Sequence, residues 1–207
     1  MKNLFEYSDI LHSPIEAFTC ATENVHLPVE AHWHYFMEVI YLQEGSVLVT
    51  CNDACKRVEA GSVMFFPQAV HAIYADGGKR FRYFCIKFNM NRIRLTGSYL
   101  PDLNLAFRRV GALPCPPILF TPKDLPGVDL GGFFEDVERE YREKQYAYDA
   151  SIYSSFASLM LRILRIWHCQ GISLDLEASS ETEENRIQDI LVYIDRHSQE
   201  NINIEEL

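Results

Sequence analysis

The segment His32-Trp33-His34-Tyr35-Phe36-Met37-Glu38, followed by Gly45, carries the strongest indication of the fold. Its two histidines and its glutamate lie at positions i, i+2 and i+6. Side chains at even offsets on a β-strand point to the same face of the sheet. If this segment is a strand, two imidazoles and one carboxylate therefore lie on one side of a sheet.

A second segment, Gly61-Ser62-Val63-Met64-Phe65-Phe66-Pro67, is followed by His71. A strand that folds back here brings His71 over the two histidines and the glutamate of the first segment. Three imidazoles and one carboxylate can bind a divalent transition metal. The same groups can also form the polar part of an effector pocket, or a hydrogen-bonded structural patch inside a barrel, and all three interpretations stay open.

The two segments resemble the two signature motifs of the cupin barrel. The first reads His32-x-His34-x-x-x-Glu38 with Gly45, and the second reads Gly61, Pro67, His71. The surrounding sequences, HWHYFMEVIYLQEGSVLVT and VEAGSVMFFPQAVHA, are similar to the N-terminal sensor domain of AraC/XylS-type bacterial transcription regulators. One departure concerns the metal: Gln68-Ala69 stand where many metal-binding cupins carry a glycine after the proline.

The resemblance implies a mainly β fold with C-terminal helices, a cupin-like (double-stranded β-helix, jelly-roll) barrel followed by a helix hairpin. We expect an effector-binding barrel at residues 1–130, a dimerisation hairpin at 131–171 and a linker at 172–184. Residues 185–207 resemble the start of a helix-turn-helix DNA-binding domain. The helix-start pattern of Asn203 and Glu206 favours truncation inside that domain over a frayed natural tail, so DNA is an expected partner only through the missing C-terminal part.

The expected function is the ligand-sensing and dimerisation part of a cytoplasmic bacterial transcription regulator, not an enzyme. Its partner is a small-molecule effector, for which a sugar is a candidate because sugars are common effectors in this family. No cofactor is required, although zinc, nickel or iron could bind. The predicted effector pocket comprises His32, His34, Phe36, Glu38, Phe66 and His71, and the candidate metal ligands are His32, His34, Glu38 and His71. The alternative is a stand-alone metal-dependent cupin enzyme of the dioxygenase or isomerase type.

Charge and composition exclude several other classes. The 207 residues carry a formal net charge of −10, which argues against a nucleic-acid surface because phosphate contacts need clustered lysine and arginine. The six cysteines form no CxxC pair, so reduced thiols in a cytosolic protein are expected. No run approaches the ~20 apolar residues of a membrane-spanning helix.

Hydrophobic patterns predict the elements. The predicted strands are 15–21, 33–43, 46–51, 56–60, 63–66, 71–75, 80–88 and a last one near 118–120. A phase change in the alternation predicts a β-bulge near Tyr83-Phe84. An amphipathic helix is predicted from Leu130, and a second from a cap at Asp149 to just before Gly171.

The apolar residues of this second helix cover more than one face. Either the helix is deeply buried in its own chain, or it packs on the barrel and also on a partner subunit. The family resemblance favours the second interpretation and a homodimer. The predicted dimer contacts are Met160, Leu161, Leu164 and Trp167.

Overall fold

The computed structural model describes residues 4–6, 14–52, 54–95, 102–174 and 190. The chain divides into two units, Met1–Leu174 and Asp175–Leu207, and the strands and helices given below all belong to the first. The predicted linker at 172–184 and the predicted DNA-binding start at 185–207 lie outside the described residues, apart from residues 172–174 and 190.

The described residues confirm a mainly β fold with C-terminal helices. The strands are β1 Ile15–Ala21, β2 Val29–His32, β3 Met37–Cys51, β4 Ala54–Glu59, β5 Val63–Pro67, β6 His71–Ala75, β7 Phe81–Phe88 and β8 Leu119–Phe120. A 3-10 turn at Met90–Arg92 precedes the helices α1 Leu103–Gly111, α2 Leu130–Glu143 and α3 Tyr148–Cys169.

Strand β3 joins two antiparallel arrays of strands. Its first part pairs with β5 and β7, which gives the order β1-β7-β3-β5-β8. Its second part pairs with β4 and β6, and β6 also pairs with β2. The sequence predicts a tight turn at Glu44-Gly45, but the strand continues through this point with a shift in register between Leu42 and Glu44. Gly45 adopts φ +73°, and a Cβ there would lie 1.9 Å from the carbonyl oxygen of Arg80.

The helices cover one face of the first array. Partners directly across antiparallel strands share a face, so Tyr41 and Phe84 lie on the same side. Tyr41 stacks on Phe134 of α2 at 4.6 Å between ring centroids, and Phe88 lies 4.6 Å from Phe156 of α3. The side chains of Glu38 and of its register partner Lys87 therefore point to the opposite face, away from the helices.

Two further predictions about individual elements are wrong, and strand β2 and helix α1 were not predicted. Residues 33–36 interrupt the predicted strand 33–43, and β3 begins at Met37. The bulge lies on β3 and not at Tyr83-Phe84, because β7 keeps a continuous register with β1 and its phase change comes from burial on both faces. Helix α1 was not predicted, although apolar residues at i, i+3, i+4 and i+7 follow its N-cap Asp102.

The structure places most of the predicted dimer contacts in the core of the single chain. Met160, Leu164 and Trp167 are buried within the single chain, at 0%, 5% and 0% exposure, and only Leu161 is partly exposed. The indole N–H of Trp167 donates to the carbonyl of Pro117 at 2.9 Å, and its ring lies 4.6 Å from that of Phe107. Three of the four side chains therefore belong to the core, and the buried-helix alternative describes α3.

Candidate functional site

Four elements place the three histidines and the glutamate together. His32 ends β2, His34 lies in the connection 33–36, Glu38 is the second residue of β3, and His71 begins β6. His32 and His71 are register partners across β2 and β6. The predicted convergence is therefore present in the structure, but strand parity does not produce it, since the strand is broken between His32 and Glu38.

The three imidazoles surround a single carboxylate oxygen. The distances from Nε2 to Glu38 Oε2 are 2.8 Å for His34, 3.4 Å for His71 and 3.8 Å for His32. One ligand atom from each of these residues lies within 4.8 Å of all the others. His34, Glu38 and His71 are buried, and the side chain of His32 is 15% exposed. His32 is therefore the most open of the four.

Backbone carbonyls determine the orientation of every ring. Nδ1 of His32 lies 2.9 Å from the carbonyl oxygen of Glu30, and Nδ1 of His71 lies 2.9 Å from that of Ala69. Nδ1 of His34 lies 3.1 Å from the carbonyl oxygen of Phe36. A carbonyl oxygen only accepts hydrogen bonds, so Nδ1 carries the proton in each ring. In a neutral imidazole Nε2 then presents a lone pair, and the Nε2 atoms of all three rings lie within 3.8 Å of Glu38 Oε2, with His34 at a hydrogen-bond distance of 2.8 Å.

Lone pairs that face a carboxylate repel it unless a positive species lies between them. Protonated imidazoles can supply that charge, and so can a metal ion. Burial by itself raises the pKa of Glu38, but the proximity of His71, His32 and His34 outweighs burial and holds the pKa well below its usual range. Glu38 raises the pKa of His32 in return, against the opposing effect of burial. The carboxylate is therefore ionised and attracts cations.

One observation at His71 indicates that these four residues are suited to bind a divalent transition metal. Its Nε2 is buried and has no hydrogen-bond partner among the described residues. An orphaned buried acceptor is costly, and coordination of a cation would satisfy it. The pattern in which Nδ1–H donates to a carbonyl while Nε2 is free is also the one that orients histidine ligands of metals.

Gln68, the residue that follows the proline in place of the expected glycine, keeps the backbone conformation that a glycine favours. Gln68 adopts φ +56°, in the left-handed region. Its side-chain amide donates to the carbonyl of Tyr35 at 3.1 Å, which joins the loop before His71 to the connection that carries His34. The departure from the motif therefore leaves the loop geometry compatible with the cluster.

The two predicted aromatic members of the pocket have different roles. The ring of Phe66 stacks on the imidazole of His71, with 4.1 Å between centroids and 12° between planes. Phe36 is buried and supplies the backbone carbonyl that faces His34. Phe66 therefore holds the imidazole of His71 in place by direct stacking, whereas Phe36 orients the imidazole of His34 through its backbone carbonyl.

Two charged residues next to the cluster were missed at the level of sequence. Lys87 is the register partner of Glu38 across β3 and β7, and its Nζ lies 3.6 Å from Glu38 Oε2. The same Nζ lies 2.6 Å from Glu6 Oε2. A lone lysine in the apolar strand FRYFCIKF was a detectable signal for Lys87, because a buried lysine needs a partner. No comparable signal marks Glu6.

Cys85 completes the surroundings of the carboxylate. Its thiol lies 3.5 Å from Glu38 Oε1, the oxygen that does not face the imidazoles. Burial raises the pKa of this thiol well above its ordinary value, and the charge of Glu38 raises it further. Cys85 therefore stays protonated and donates to Glu38, while the six cysteines are all free thiols.

The fold and the cluster define a cupin-like ligand-binding domain. Residues 18–104 match the family described as the AraC-like ligand binding domain. The match runs from within β1 to the start of α1, which is 87 of the 207 residues, and this part of the chain is similar to that family of cupin-type domains. No curated protein is significantly similar to the chain.

Solved cupin structures resemble parts of the chain at low sequence identity. A cupin 2 conserved barrel domain protein from Salinispora arenicola is 16% identical, with a TM-score of 0.34 over 41% of this chain and 71% of its own. A cupin-2 domain protein from Shewanella frigidimarina is 18% identical, with a TM-score of 0.31 over 36% and 70% of the two chains. An RmlC-like cupin from the same organism is 20% identical, with a TM-score of 0.31 over 36% and 65%.

In the part of the chain that the structure describes, no helix combines the length and the apolar character needed to cross a membrane.

Proposed function

We propose that this chain is the ligand-sensing part of an AraC-type transcription regulator, and that it binds its effector at the His/Glu cluster through a divalent transition metal. The observation that carries the proposal is the common orientation of the three rings. Each Nδ1 lies against a backbone carbonyl, and each Nε2 lies between 2.8 and 3.8 Å from Glu38 Oε2. Nε2 of His71 has no hydrogen-bond partner among the described residues and lies 3.4 Å from Glu38 Oε2, so a cation bound between these two atoms would satisfy both.

His32, His34, Glu38 and His71 would hold the metal ion. Three imidazoles and one carboxylate suit zinc, nickel or iron. A bound ion would supply a Lewis-acidic centre that attracts an electron-rich group of the effector. Because the side chain of His32 is the most exposed of the four, we expect the effector to approach from this side.

The family match supports a regulatory binding role over the enzyme alternative, because the matched family is described by ligand binding. In the proposed mechanism, effector binding shifts the populations of two arrangements of a dimer and thereby changes DNA binding by a further domain. The dimer, the DNA-binding domain and the cytoplasmic location are parts of the proposal that come from the resemblance. Because α3 is core, we place the dimer contact outside Met160, Leu164 and Trp167.

Metal titration of the purified chain tests the central claim. After treatment with a chelator, the protein is titrated with zinc, nickel and iron(II) in a calorimeter, and its melting temperature is followed in parallel. We expect one ion per chain, and stabilisation of about 2.7 kcal/mol at a hundredfold excess over the dissociation constant. A Glu38→Gln variant should bind the ion more weakly, while Glu23→Gln, at an exposed site, should match the wild type. Folded protein that binds none of the three ions would overturn the metal part of the proposal.

A further inference from the structure

A short segment at the N-terminus brings a second carboxylate to the edge of the cluster. The backbone N–H of Glu6 donates to the carbonyl of Trp33, and the N–H of Trp33 donates to the carbonyl of Leu4, both at 2.9 Å. The ring of Phe5 lies 5.0 Å from that of Trp33 and 5.3 Å from that of Tyr35. These contacts hold residues 4–6 against the connection that carries His34.

Lys87 binds this carboxylate more closely than it binds Glu38. Its Nζ lies 2.6 Å from Glu6 Oε2 and 3.6 Å from Glu38 Oε2. The Lys87 side chain is 6% exposed, whereas that of Glu6 is 43% exposed. A buried ammonium thus has a partly exposed carboxylate as its nearest partner, and solvent can compete for that carboxylate but much less for the lysine.

The same oxygen of Glu6 also lies 3.5 Å from His32 Nε2, the most open of the imidazoles. Its position is therefore next to both the lysine and the proposed metal site. Glu38 also pairs with Lys87, at 3.6 Å, but its Oε2 is shared with the three imidazoles. If Glu6 moves away, Lys87 loses its closer anionic partner and retains only this shared, more distant one.

We propose that Lys87 forms a carboxylate subsite of the effector pocket, and that Glu6 is a built-in occupant which the carboxylate of a small organic acid displaces. The inference rests on the proposed ligand-sensing role and names the chemical class of the effector. It replaces the expectation of a neutral sugar with an acid. The exchange is chemically balanced, since one carboxylate leaves the ammonium of Lys87 and another takes its place.

Competition between Glu6 and a free carboxylate provides the test. Binding of acetate, and of its neutral counterpart acetamide, is measured on the full chain by saturation-transfer NMR of the methyl protons at constant ionic strength. Replacing Glu6 with glutamine removes the competitor and keeps the shape. We expect acetate to bind Glu6→Gln about tenfold more tightly than the wild type, the change that corresponds to a charged hydrogen bond of about 1.4 kcal/mol. Acetamide should bind neither protein.

The matched control is Glu23→Gln, because Glu23 is an exposed carboxylate that pairs with Arg80 elsewhere. This variant should bind acetate like the wild type. In the Glu6→Gln background, Lys87→Met should abolish acetate binding, and Lys87→Arg should restore it in part. Since Lys87→Met could unfold the protein, the comparison of acetate with acetamide on Glu6→Gln provides a test that needs no change at Lys87.

The experiment is run with zinc and with chelator, so that this inference and the proposed function fail separately. A Glu6-dependent preference for acetate in chelator supports the subsite even if no metal binds. Zinc binding with equal acetate affinity in wild type and Glu6→Gln overturns the subsite and leaves the metal site standing. Equal binding of acetamide and acetate to Glu6→Gln also overturns it, because the recognition would then not depend on charge.

Discussion

Replacing His71 with glutamine should weaken metal binding strongly and leave the metal-free protein almost unchanged in stability. His71 is fully buried, and its Nε2 is the orphaned acceptor of the cluster. Structural zinc sites bind with about 10–16 kcal/mol, so one of four ligands accounts for about 2.5–4 kcal/mol. This free energy corresponds to a loss of about 100- to 1000-fold in affinity.

The metal-free protein experiences two opposing effects of this substitution. Loss of the ring stacked on Phe66 at 4.1 Å removes about 0.5–1.5 kcal/mol. The amide N–H of glutamine can instead donate to Glu38, whose nearest oxygen lies 3.4 Å from the present Nε2, and a hydrogen bond to a charged group contributes about 1.5–3 kcal/mol. The hydrogen bond from Nδ1 to the carbonyl of Ala69 is also lost, which removes a further contribution of about 0.5–1.5 kcal/mol. Losses of about 1–3 kcal/mol and a gain of about 1.5–3 kcal/mol nearly cancel, so we expect the free energy of unfolding to change by about 1 kcal/mol or less.

Calorimetric zinc titration and urea unfolding in chelator measure the two quantities separately. The control is His26→Gln, because His26 is exposed and lies outside the cluster. It should leave both the affinity and the stability unchanged. Zinc affinity in His71→Gln within threefold of the wild type would refute the assignment of His71 as a ligand. A large loss of stability in chelator would instead identify His71 as a structural group.

Three further predictions concern pH, α3 and the bulge of β3. Because Glu38 raises the pKa of His32, this pair stabilises the folded state below a pH of about 6.5. In chelator, the melting temperature should therefore fall as the pH rises above that value, and zinc should reverse the fall. A melting temperature that does not change with pH would contradict this prediction. Leu164→Glu should unfold the protein rather than produce folded monomers, because Leu164 is buried in the chain. Arg162→Glu, at an exposed position of the same helix, should change the free energy of unfolding by less than about 0.5 kcal/mol. Sedimentation and circular dichroism distinguish these outcomes. Gly45→Ala should lower the free energy of unfolding in urea by at least about 3 kcal/mol, because its Cβ would lie 1.9 Å from a carbonyl oxygen. Gly77→Ala, with φ +60° and open space around the Cβ, should lower it by about 1–2 kcal/mol. Equal losses in the two variants would contradict this explanation.

Most of the strands could be predicted from the sequence because they have a short apolar run between turn residues, whereas β2, with the sequence VEAH, has no such run and was not predicted. Strand β1 has the predicted bounds, and β5, β6 and β7 differ from their predicted bounds by a residue at most. The sequence Asp76-Gly77-Gly78 is also typical of a hairpin turn, and both glycines have positive φ in the structure. Local patterns are informative where one segment determines its own conformation.

The failures occur where distant segments decide the outcome. In β7 both faces are buried, so alternation could not reveal which residues pair with which. The width of the apolar surface on α3 suggested a partner subunit. In the structure that surface is covered by the chain itself, by Phe88 against Phe156 and by Phe107 and Pro117 against Trp167. Sequence periodicity reports that a surface is buried, but not which segment buries it.

The candidate site illustrates the same limit in its chemistry. The four residues could be chosen from their types and order, yet the geometry that makes them a candidate metal site depends on three backbone carbonyls, at Glu30, Phe36 and Ala69. Each carbonyl lies within two residues along the chain of the ring that it orients, so the backbone path of three short segments selects the tautomers. That path brings the rings together although His34 lies outside any strand. Lys87 joins the cluster because β7 pairs with β3, and Glu6 joins it because Phe5 forms a β-bridge with Trp33. Both contacts arise only in the folded chain.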